Sequence, residues 1–380
     1  MLTLTHAPLP KWKYLARIFA SNYSDAEIAN PWRQADEKFF WFSRSSWSLY
    51  AIALYRIKKL KKENILIWVP DYFCNASLKL LRDLGADLQF YPLLSNGKPD
   101  MKVCEKMLQD SSPDIIIFVH YFGKLSDSKD LSCLAKNSNA WLVEDCAHCL
   151  QAENGIGTTG DFVLYSQHKS LPLSDGALLL IRNNGPSNLE SCHFELLHRE
   201  LTATTKVAFY YGFKWLVKRF LQKIGIRSGR ASVVTFDDIA GENSVCLPGI
   251  KMSNLAKKLL MEVIPGMDME KKARKRNAQQ WRESLGTYLH SNLGITPIFE
   301  NYTPYLAGFQ LSSKQQTEEI FYFLQDANVP VTTWPDLPPE VLGDNIKHKI
   351  SIEMRNTRLF FPVHSSITPQ KIKQALDCIQ

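Results

Sequence analysis

The chain has 380 residues, of which 45% are hydrophobic and 22% are charged, which is the composition of an ordinary folded globular protein. The net charge is +7, and residues 205–230 alone contain seven basic residues and no acidic one, so the rest of the chain is balanced. A charge excess confined to one segment argues against a protein that binds nucleic acid over its surface.

The cysteines and the N-terminus indicate the compartment in which the protein works. Eight cysteines lie mostly in apolar stretches and show no small disulfide framework, so we expect reduced thiols in a cytoplasmic protein. Prolines and lysines interrupt the first twenty residues, which argues against a signal peptide. No apolar run approaches the ~18 residues that a membrane-spanning helix needs.

The first half of the chain alternates short apolar runs with segments of helical spacing. Such strands, nearly all apolar and separated by helices, predict a mainly parallel sheet that is covered on both faces. The predicted elements, in chain order, are a helix over residues 47–61, a strand over 65–69, a helix over 75–84, strands over 87–91 and 114–120, a helix over 131–137, and strands over 141–144, 162–165 and 177–181.

The pattern changes after residue 184 to longer helices with few strands, which predicts a smaller α+β domain at the C-terminus. The predicted elements here are a basic helical region over 192–230, helices over 254–285, 315–327 and 369–379, and strands over 295–298 and 305–311. We therefore expect an N-terminal segment (1–40), a large α/β domain (41–245) with a basic helical insertion near 205–230, and a small α+β domain (246–380).

Two strand ends carry the residues that suggest chemistry. Asp145 follows the strand over 141–144, and Ser166, His168 and Lys169 follow the strand over 162–165. Ligands bind parallel sheets at the carboxyl ends of the strands. A carboxylate that keeps a pyridine nitrogen protonated and a lysine that forms a Schiff base are what a pyridoxal phosphate (PLP) site needs. We therefore predict that Lys169 and Asp145 are catalytic and that PLP is the cofactor.

Serine residues at a helix start are candidates for binding the cofactor phosphate. Ser45 and Ser46 directly precede the helix over 47–61, where backbone N–H groups favour an anion. We predict that they bind the phosphate together with Ser166. Ser45 is also a good helix N-cap, and the two roles are compatible.

Seven motifs, in the order of the family, resemble the DegT/DnrJ/EryC1/StrS family of PLP-dependent sugar aminotransferases. The resemblance implies a fold-type-I α/β architecture and a homodimer whose active sites draw on both subunits. It also implies a keto-sugar substrate, expected to be nucleotide-linked, and an amino acid donor such as glutamate. The motifs are SRSSWSLYAIAL (43–54), VPDYFC (69–74), VHYFG (119–123), LVEDCAHC (142–149), GTTGDFVLYSQHK (157–169), TTWPDLPPEV (332–341) and RLFFPVH (358–364).

The chain departs from the family pattern around the cofactor. The usual lysine position is Leu171 here, so we take Lys169, three residues after Ser166, as the cofactor lysine in a shortened loop. His148 replaces a glutamine and is predicted to contact the phenolic oxygen of the cofactor. Phe73 or Tyr72 is predicted to stack on the pyridine ring, although strict alignment places Cys74 there.

Two alternatives remain open from the residues alone. If His168 rather than Lys169 faces the reactive carbon of the cofactor, the protein is a sugar dehydratase of the same fold. If the altered loops bind no cofactor, it is a non-catalytic relative that binds a partner or a membrane surface. A metal site at Cys146 and Cys149 is not expected, because the second pair of ligands typical of structural zinc is missing.

The basic segment over 205–230 has apolar residues at helical spacing among its lysines. We favour the interpretation that its apolar face packs on a neighbouring domain or subunit. Contact with an anionic membrane surface, or steering of an anionic substrate, is the alternative.

Overall fold

The computed structural model describes residues 4–18, 20, 22–34, 37–182, 185–187, 192–203, 209–224, 236, 249–289, 296–297, 302–334 and 336–377. Its centre is a seven-stranded sheet in the order β1-β7-β6-β5-β4-β2-β3. The strands are β1 (Lys38–Phe42), β2 (Leu66–Pro70), β3 (Asp87–Tyr91), β4 (Ile115–Val119), β5 (Trp141–Cys146), β6 (Phe162–Tyr165) and β7 (Ala177–Ile181).

Strands β2 to β6 pair in parallel, and β7 runs antiparallel to both β6 and β1. Almost every residue of β4 to β7 is buried, as expected for strands that are covered on both faces. The prediction of an α/β fold around a mainly parallel sheet is therefore confirmed.

Helices surround this sheet, and a second, three-stranded sheet in the order β10-β9-β8 forms the later part of the chain. Its strands are β8 (Thr296–Pro297), β9 (Leu306–Gln310) and β10 (Arg358–Pro362). The helices are α1 (Trp12–Arg17), α2 (Asp25–Ala29), α3 (Ser45–Leu60), α4 (Lys79–Asp83), α5 (Met101–Asp110), α6 (Lys129–Asn137), α7 (Gln167–Ser170), α8 (Cys192–Ala203), α9 (Phe209–Lys223), α10 (Asn254–Val263), α11 (Met267–Leu289), α12 (Lys314–Asp326), α13 (Pro339–Gly343), α14 (Lys349–Thr357) and α15 (Pro369–Asp377).

The described side chains form three hydrophobic clusters. Two of them cover the faces of the large sheet, and the second also takes in residues of α10 such as Leu259. The third lies around Trp281 of α11, the three-stranded sheet and α12. A small unit built on the second sheet agrees with the predicted α+β character of this region, while the boundaries at residues 41 and 245 stay predictions.

The predicted helix over residues 75–84 is interrupted. A short 3₁₀ turn, Asn75–Ser77, precedes α4, and the N–H of Asn75 donates to the carbonyl of Asp336 at 3.3 Å. This tertiary hydrogen bond holds the first turn outside the α-helix. Strand β1 and helix α5 were not predicted, because their residues lie in segments with weak hydrophobic patterning.

Helix α9 presents two apolar faces. Trp215 is buried against the cluster that contains α10, whereas Phe213 and Phe220 are about half exposed, at 57% and 49%. Trp12 of α1 packs edge-on against Phe220 with ring centroids 5.6 Å apart. The interpretation that the segment packs on a neighbouring domain or subunit stays a prediction, and Lys206, Arg227 and Arg230 lie outside the described residues. None of the described helices is both long and apolar enough to cross a membrane.

The loop between β5 and β6 is organised by the fully buried carboxylate of Glu144. One of its oxygens accepts from the N–H of Gly157 at 2.6 Å, and the other accepts from Thr159 and Gly160, each at 2.9 Å. His120 contacts the same carboxylate at 2.7 Å. Gly157 adopts a φ of +79°, which other residues rarely tolerate. This explains the GTTGD motif, because the loop must wrap its N–H groups around one carboxylate.

Removing this carboxylate is expected to destabilise the protein strongly. Burial pushes the pKa of Glu144 upward, but the hydrogen bonds from His120 and from the backbone hold it below its ordinary value. We expect Glu144→Ala to lower the free energy of unfolding by about 3–5 kcal/mol in urea titrations, because buried donors lose their acceptor. The exposed Glu105→Ala on α5 is the control and should change it little.

The same depressed pKa predicts an acid dependence. A carboxylate whose pKa is lower in the folded state stabilises the fold above its unfolded pKa of about 4.3, and this contribution is lost as the pH falls through the folded pKa. Glu144→Gln should therefore show a shallower loss of stability below about pH 4 than the wild type. Parallel acid titrations of the two proteins would contradict this interpretation.

Candidate active site

Asp145 lies within β5, one residue before the end of the strand, and its side chain is buried. The strand extends beyond the predicted end at residue 144, because Asp145 and Cys146 still pair with β6. One carboxylate oxygen accepts from the N–H of Ala147 at 2.8 Å, and the other has no partner among the described residues. Burial raises the pKa of Asp145, and the charge of Lys169 opposes that rise.

Lys169 lies in α7, a single turn that follows β6, and is half-buried. Within the described part of the chain its ammonium group forms no ion pair and no hydrogen bond. Its charge nevertheless acts on Asp145, His148 and Cys74, lowering the pKa of each. The amine of Lys169 therefore lies within electrostatic reach of these three groups.

His148 is neutral and has one ring nitrogen free. Burial lowers its pKa well below the ordinary value, and the charge of Lys169 lowers it further. Its Nδ1 accepts from the N–H of Phe122 at 3.3 Å, so the proton of the neutral ring is assigned to Nε2. Tyr305 stacks on the ring with a centroid distance of 4.7 Å and an interplanar angle of 7°. The fixed ring thus offers an N–H donor near Lys169.

The turn that contains Lys169 lies beside the first turn of α3. The N–H of Gly176 donates to the carbonyl of Ser43 at 2.8 Å, and the carbonyl of Gly176 accepts from His168 Nδ1 at 3.1 Å. The Ser166 hydroxyl lies 3.1 Å from the same nitrogen. These contacts connect Ser166, through His168 and Gly176, to Ser43, while the phosphate-binding role of Ser45, Ser46 and Ser166 stays a prediction.

The N-terminus of α3 is open to an anion. Its N-cap residue, Arg44, has extended backbone angles and makes no side-chain cap. The Arg44 guanidinium instead donates to the carbonyl of Ser174 at 3.2 Å and to the Tyr211 hydroxyl at 3.1 Å. The first N–H groups of the helix, at Ser45 and Ser46, are therefore not satisfied by a capping side chain.

Phe73 and Tyr72, the aromatic residues predicted to stack on the pyridine ring, pack against other side chains of the protein. Phe73 is buried in the main hydrophobic cluster, and Tyr72 stacks on Trp334 with centroids 4.4 Å apart. Lys169 acts on Cys74, the residue that strict alignment puts at the stacking position. The stacking role of Phe73 stays a prediction, and Cys74 is the nearer candidate for that face.

Two residues near the site were not predicted from the sequence. Arg274 of α11 is buried and donates to the carbonyl of Ser170 at 2.6 Å and to that of Tyr305 at 3.1 Å. It thereby ties the residue after Lys169 to the residue that stacks on His148. Trp334 lies with its ring edge-on to His148, 5.7 Å away. Only spatial proximity identifies both, because nothing in the sequence pattern links them to residue 169.

A group of possible metal ligands lies behind Asp145 but is better interpreted as structural. Ligand atoms of His120, Glu144 and Cys146 are close together. Both oxygens of Glu144 already accept backbone hydrogen bonds. Burial raises the pKa of the Cys146 thiol well above its ordinary value, and a protonated thiol is a poor ligand.

Residues 50–193 match the model of the DegT/DnrJ/EryC1/StrS aminotransferase family. Over 118 residues the chain is 30% identical to the UDP-4-amino-4,6-dideoxy-N-acetyl-beta-L-altrosamine transaminase of Campylobacter jejuni. That alignment covers 30% of this chain and 31% of the relative, so the chain matches about a third of the relative's length. The predicted resemblance to the DegT/DnrJ/EryC1/StrS family is therefore confirmed.

Solved structures extend the similarity in fold to the whole chain. Spr1654 from Streptococcus pneumoniae, solved in PMP and PLP forms, has a TM-score of 0.73 in the PMP form, with 12% identity over 99% of this chain and 96% of that one. Helicobacter pylori PseC, an aminotransferase of pseudoaminic acid biosynthesis, has a TM-score of 0.70, with 12% identity over 99% and 98% of the chains. At these identities the structures support the fold alone, which is the one found in the DegT/DnrJ/EryC1/StrS family.

The side chains present fit pyridoxal phosphate. Asp145 offers an unpaired carboxylate oxygen for a pyridinium N–H, and His148 offers an N–H for a phenolic oxygen. Lys169 is an unpaired amine on the same space, and the Ser43 hydroxyl is buried without a partner near the open end of α3. A cationic ring with a phosphate tail would satisfy these groups together.

Proposed function

We propose that the protein is a PLP-dependent aminotransferase that converts a keto-sugar, expected to be nucleotide-linked, into an amino sugar. The observation that carries the proposal is that the charge of Lys169 acts on the buried carboxylate of Asp145, with the two groups at the ends of adjacent parallel strands. An aminotransferase needs one amine side chain that binds the cofactor covalently and one carboxylate side chain that keeps the cofactor ring protonated. The family match over residues 50–193 and the sugar aminotransferase among the relatives support the same conclusion.

Lys169 would hold the cofactor covalently and, once an incoming amine releases it, would move a proton between the substrate carbon and the cofactor. When bound, the cofactor supplies an electron sink that stabilises negative charge on the substrate carbon. The charge of Lys169 acts on both Asp145 and His148, so all three groups are close enough to contact one ligand. The amine is thus placed to act as a general base after release.

Asp145, Ser45, Ser46 and Ser166 would orient the cofactor from its two ends. The carboxylate of Asp145 would accept from the pyridinium, which removes the penalty of a buried unpaired charge. The hydroxyl groups and the open N-terminus of α3 would bind the phosphate. His148 would donate to the phenolic oxygen through Nε2. With both ends fixed, the reactive carbon stays within reach of Lys169.

The dehydratase alternative is less well supported. Its premise is that His168 takes the place of Lys169, but His168 Nδ1 is engaged by the carbonyl of Gly176 and by Ser166. Burial lowers the pKa of His168 well below its ordinary value, and Arg44 lowers it further, so it is a poor base. The non-catalytic alternative would leave Lys169 and Asp145 as unpaired groups around a space with no occupant.

We also propose a cytoplasmic homodimer with glutamate as the amino donor. These three points rest on the resemblance and on the free thiols of the described cysteines. Light scattering that gives a monomer mass would contradict the dimer. Recovery of the protein from the membrane or periplasmic fraction would contradict the location.

The experiment that tests the activity follows both half-reactions. The purified protein is supplied with PLP, and glutamate is then added without an acceptor. We expect the visible absorbance band to disappear and 2-oxoglutarate to be released. A 4-keto sugar linked to UDP should then restore the band and yield an amino sugar detectable by mass spectrometry. Retained cofactor with no release of the corresponding 2-oxo acid from any amino acid would refute the aminotransferase.

A further inference from the structure

A cavity of about 130 Å³ opens beside the carboxyl ends of β2 and β4. Its walls come from Tyr72 after β2, from the turn over residues 93–97, from residues 121–124 after β4, and from Met354 and Arg358 of the later part of the chain. The cavity is thus enclosed by the large sheet on one side and by α14 and β10 on the other. Lys169, Asp145, His148 and the serines assigned to the cofactor do not line it, and Tyr72, a predicted stacking residue, packs on Trp334 instead.

Arg358 brings to this cavity a positive charge without an acidic partner. Its Nε donates to the side chain of Gln310 at 2.8 Å, and an Nη lies 3.5 Å from the carbonyl of Ser95. Among the described residues no carboxylate forms an ion pair with it, and burial lowers its pKa. Lys124, on the opposite wall, is exposed and likewise has no ion-pair partner within the described ranges. The half-buried guanidinium of Arg358 has N–H groups beyond those that contact Gln310 and Ser95, and such groups favour an anion.

Tyr72 supplies a second buried group without a partner. Its side chain is 1% exposed, and its hydroxyl makes no hydrogen bond with the described residues. Burial raises the pKa of this phenol, and the charge of Arg358 opposes the rise, so the two groups face each other. An O–H that cannot titrate at neutral pH and that lies beside a guanidinium is a hydrogen-bond donor for an oxyanion.

The walls of the cavity are held rigidly. The Tyr121 hydroxyl donates to the carbonyl of Tyr72 at 2.8 Å. Next to Tyr72, the fully buried Asp71 accepts from Ser351 at 2.5 Å and contacts His348 at 2.9 Å, which fastens α14 to the end of β2. The donors of the cavity are therefore positioned before a ligand arrives, which reduces the entropy lost on binding.

We propose that this cavity binds an oxyanion of the substrate, a phosphate or a carboxylate group, through Arg358, Tyr72 and Lys124. The proposal rests on the proposed function, since the substrates there are anionic. Trp334 lies between the cavity and the candidate active site, because it stacks on Tyr72 and lies edge-on to His148. An anion held by Arg358 would thus anchor a substrate whose reacting end lies beyond Trp334, at Lys169.

Calorimetric titration of the protein loaded with pyridoxamine phosphate tests the cavity directly, because the phosphate site of the cofactor is then filled and glutamate cannot react. The probes are inorganic phosphate, uridine diphosphate and glutamate. We expect at least one of them to bind, and Arg358→Gln to weaken that binding by about tenfold or more, since hydrogen bonds to charged groups are strong. Tyr72→Phe should weaken it by a smaller factor. Arg199→Gln, at an exposed arginine of α8, is the matched control and should change nothing.

The pattern over the probes identifies the source of the oxyanion. If Arg358→Gln weakens the binding of phosphate and uridine diphosphate but not that of glutamate, the cavity binds the phosphate of the acceptor. If glutamate alone responds, it takes the carboxylate of the donor. The proposal is overturned if no probe binds, or if both variants bind every probe as tightly as the wild type does. Failure here with an intact visible absorbance band of the PLP-loaded protein leaves the proposed function standing, so the two are distinguishable.

Thermal unfolding separates a binding role of Tyr72 from a structural one. Because its hydroxyl has no partner in the described structure, Tyr72→Phe should unfold at the same temperature as the wild type or slightly higher without ligand. A large loss of stability would mean that the hydroxyl supports the fold, and it would contradict the role given to it here.

Discussion

Lys169→Ala should abolish the visible absorbance of the PLP-loaded protein and lower transaminase activity by about 10²–10⁴-fold, the range that removal of a general acid or base usually gives. The reason is geometric, since Lys169 is the amine whose charge acts on Asp145, His148 and Cys74. Spectra before and after borohydride, together with steady-state rates, measure both effects.

Two further variants make this result specific. Lys169→Arg keeps the positive charge opposite Asp145 but cannot form the covalent link, so it should lose the absorbance band as completely as the alanine variant. Lys106→Ala, at an exposed lysine of α5, should keep both the band and the activity. A band that survives in Lys169→Ala would mean that another lysine holds the cofactor, and the assignment of the site would be wrong.

Asp145→Asn should lower activity by about 10²–10³-fold, as expected when a preorganised charge that stabilises the reacting system is removed. The carboxylate is buried and has one oxygen without a partner, which a pyridinium would fill. An amide in its place cannot hold the ring protonated. Activity is measured with saturating PLP, so that weak cofactor binding is separated from slow chemistry.

Asp145→Asn should lower activity but should not lower the stability of the fold. Burial raises the pKa of Asp145, and a carboxyl with a raised folded pKa destabilises the fold progressively as the pH rises from its unfolded value of about 3.9. Without cofactor, Asp145→Asn should therefore be at least as stable as the wild type at pH 7, and the difference should vanish below about pH 4. Asp87→Asn, at an exposed aspartate of β3, is the control. A destabilised Asp145→Asn apoprotein would show that the carboxylate supports the fold instead.

The sequence predicted the large sheet well because its strands are continuous apolar runs. Strands β6 and β7 begin and end at the predicted residues, and the positions of Asp145 and Lys169 at one edge follow from the parallel order. Strand β1 escaped prediction, since its residues 38–42 lie in a mixed segment and pair only with the distant β7. Helix α5 escaped because its helical spacing includes few large apolar residues.

The parts of the site that the sequence could not reveal depend on contacts between distant segments. Arg274 reaches Ser170 across 104 residues of sequence, and Tyr305 stacks on His148 from an equally remote segment. No local sequence pattern predicts contacts between such distant residues. The Asp175 side chain also contacts a distant segment, because it accepts from the N–H of Ser253 at 2.8 Å. This hydrogen bond connects α10 to the loop after Lys169, so Asp175 has a structural role.

The hydrogen bonds of Arg274 to Ser170 and Tyr305 have a mechanical implication. One guanidinium on the long helix α11 holds both the turn that carries the reactive amine and the ring that keeps His148 in plane. A tilt of α11 would therefore displace the nucleophile and the hydrogen-bond donor as a pair, preserving their separation.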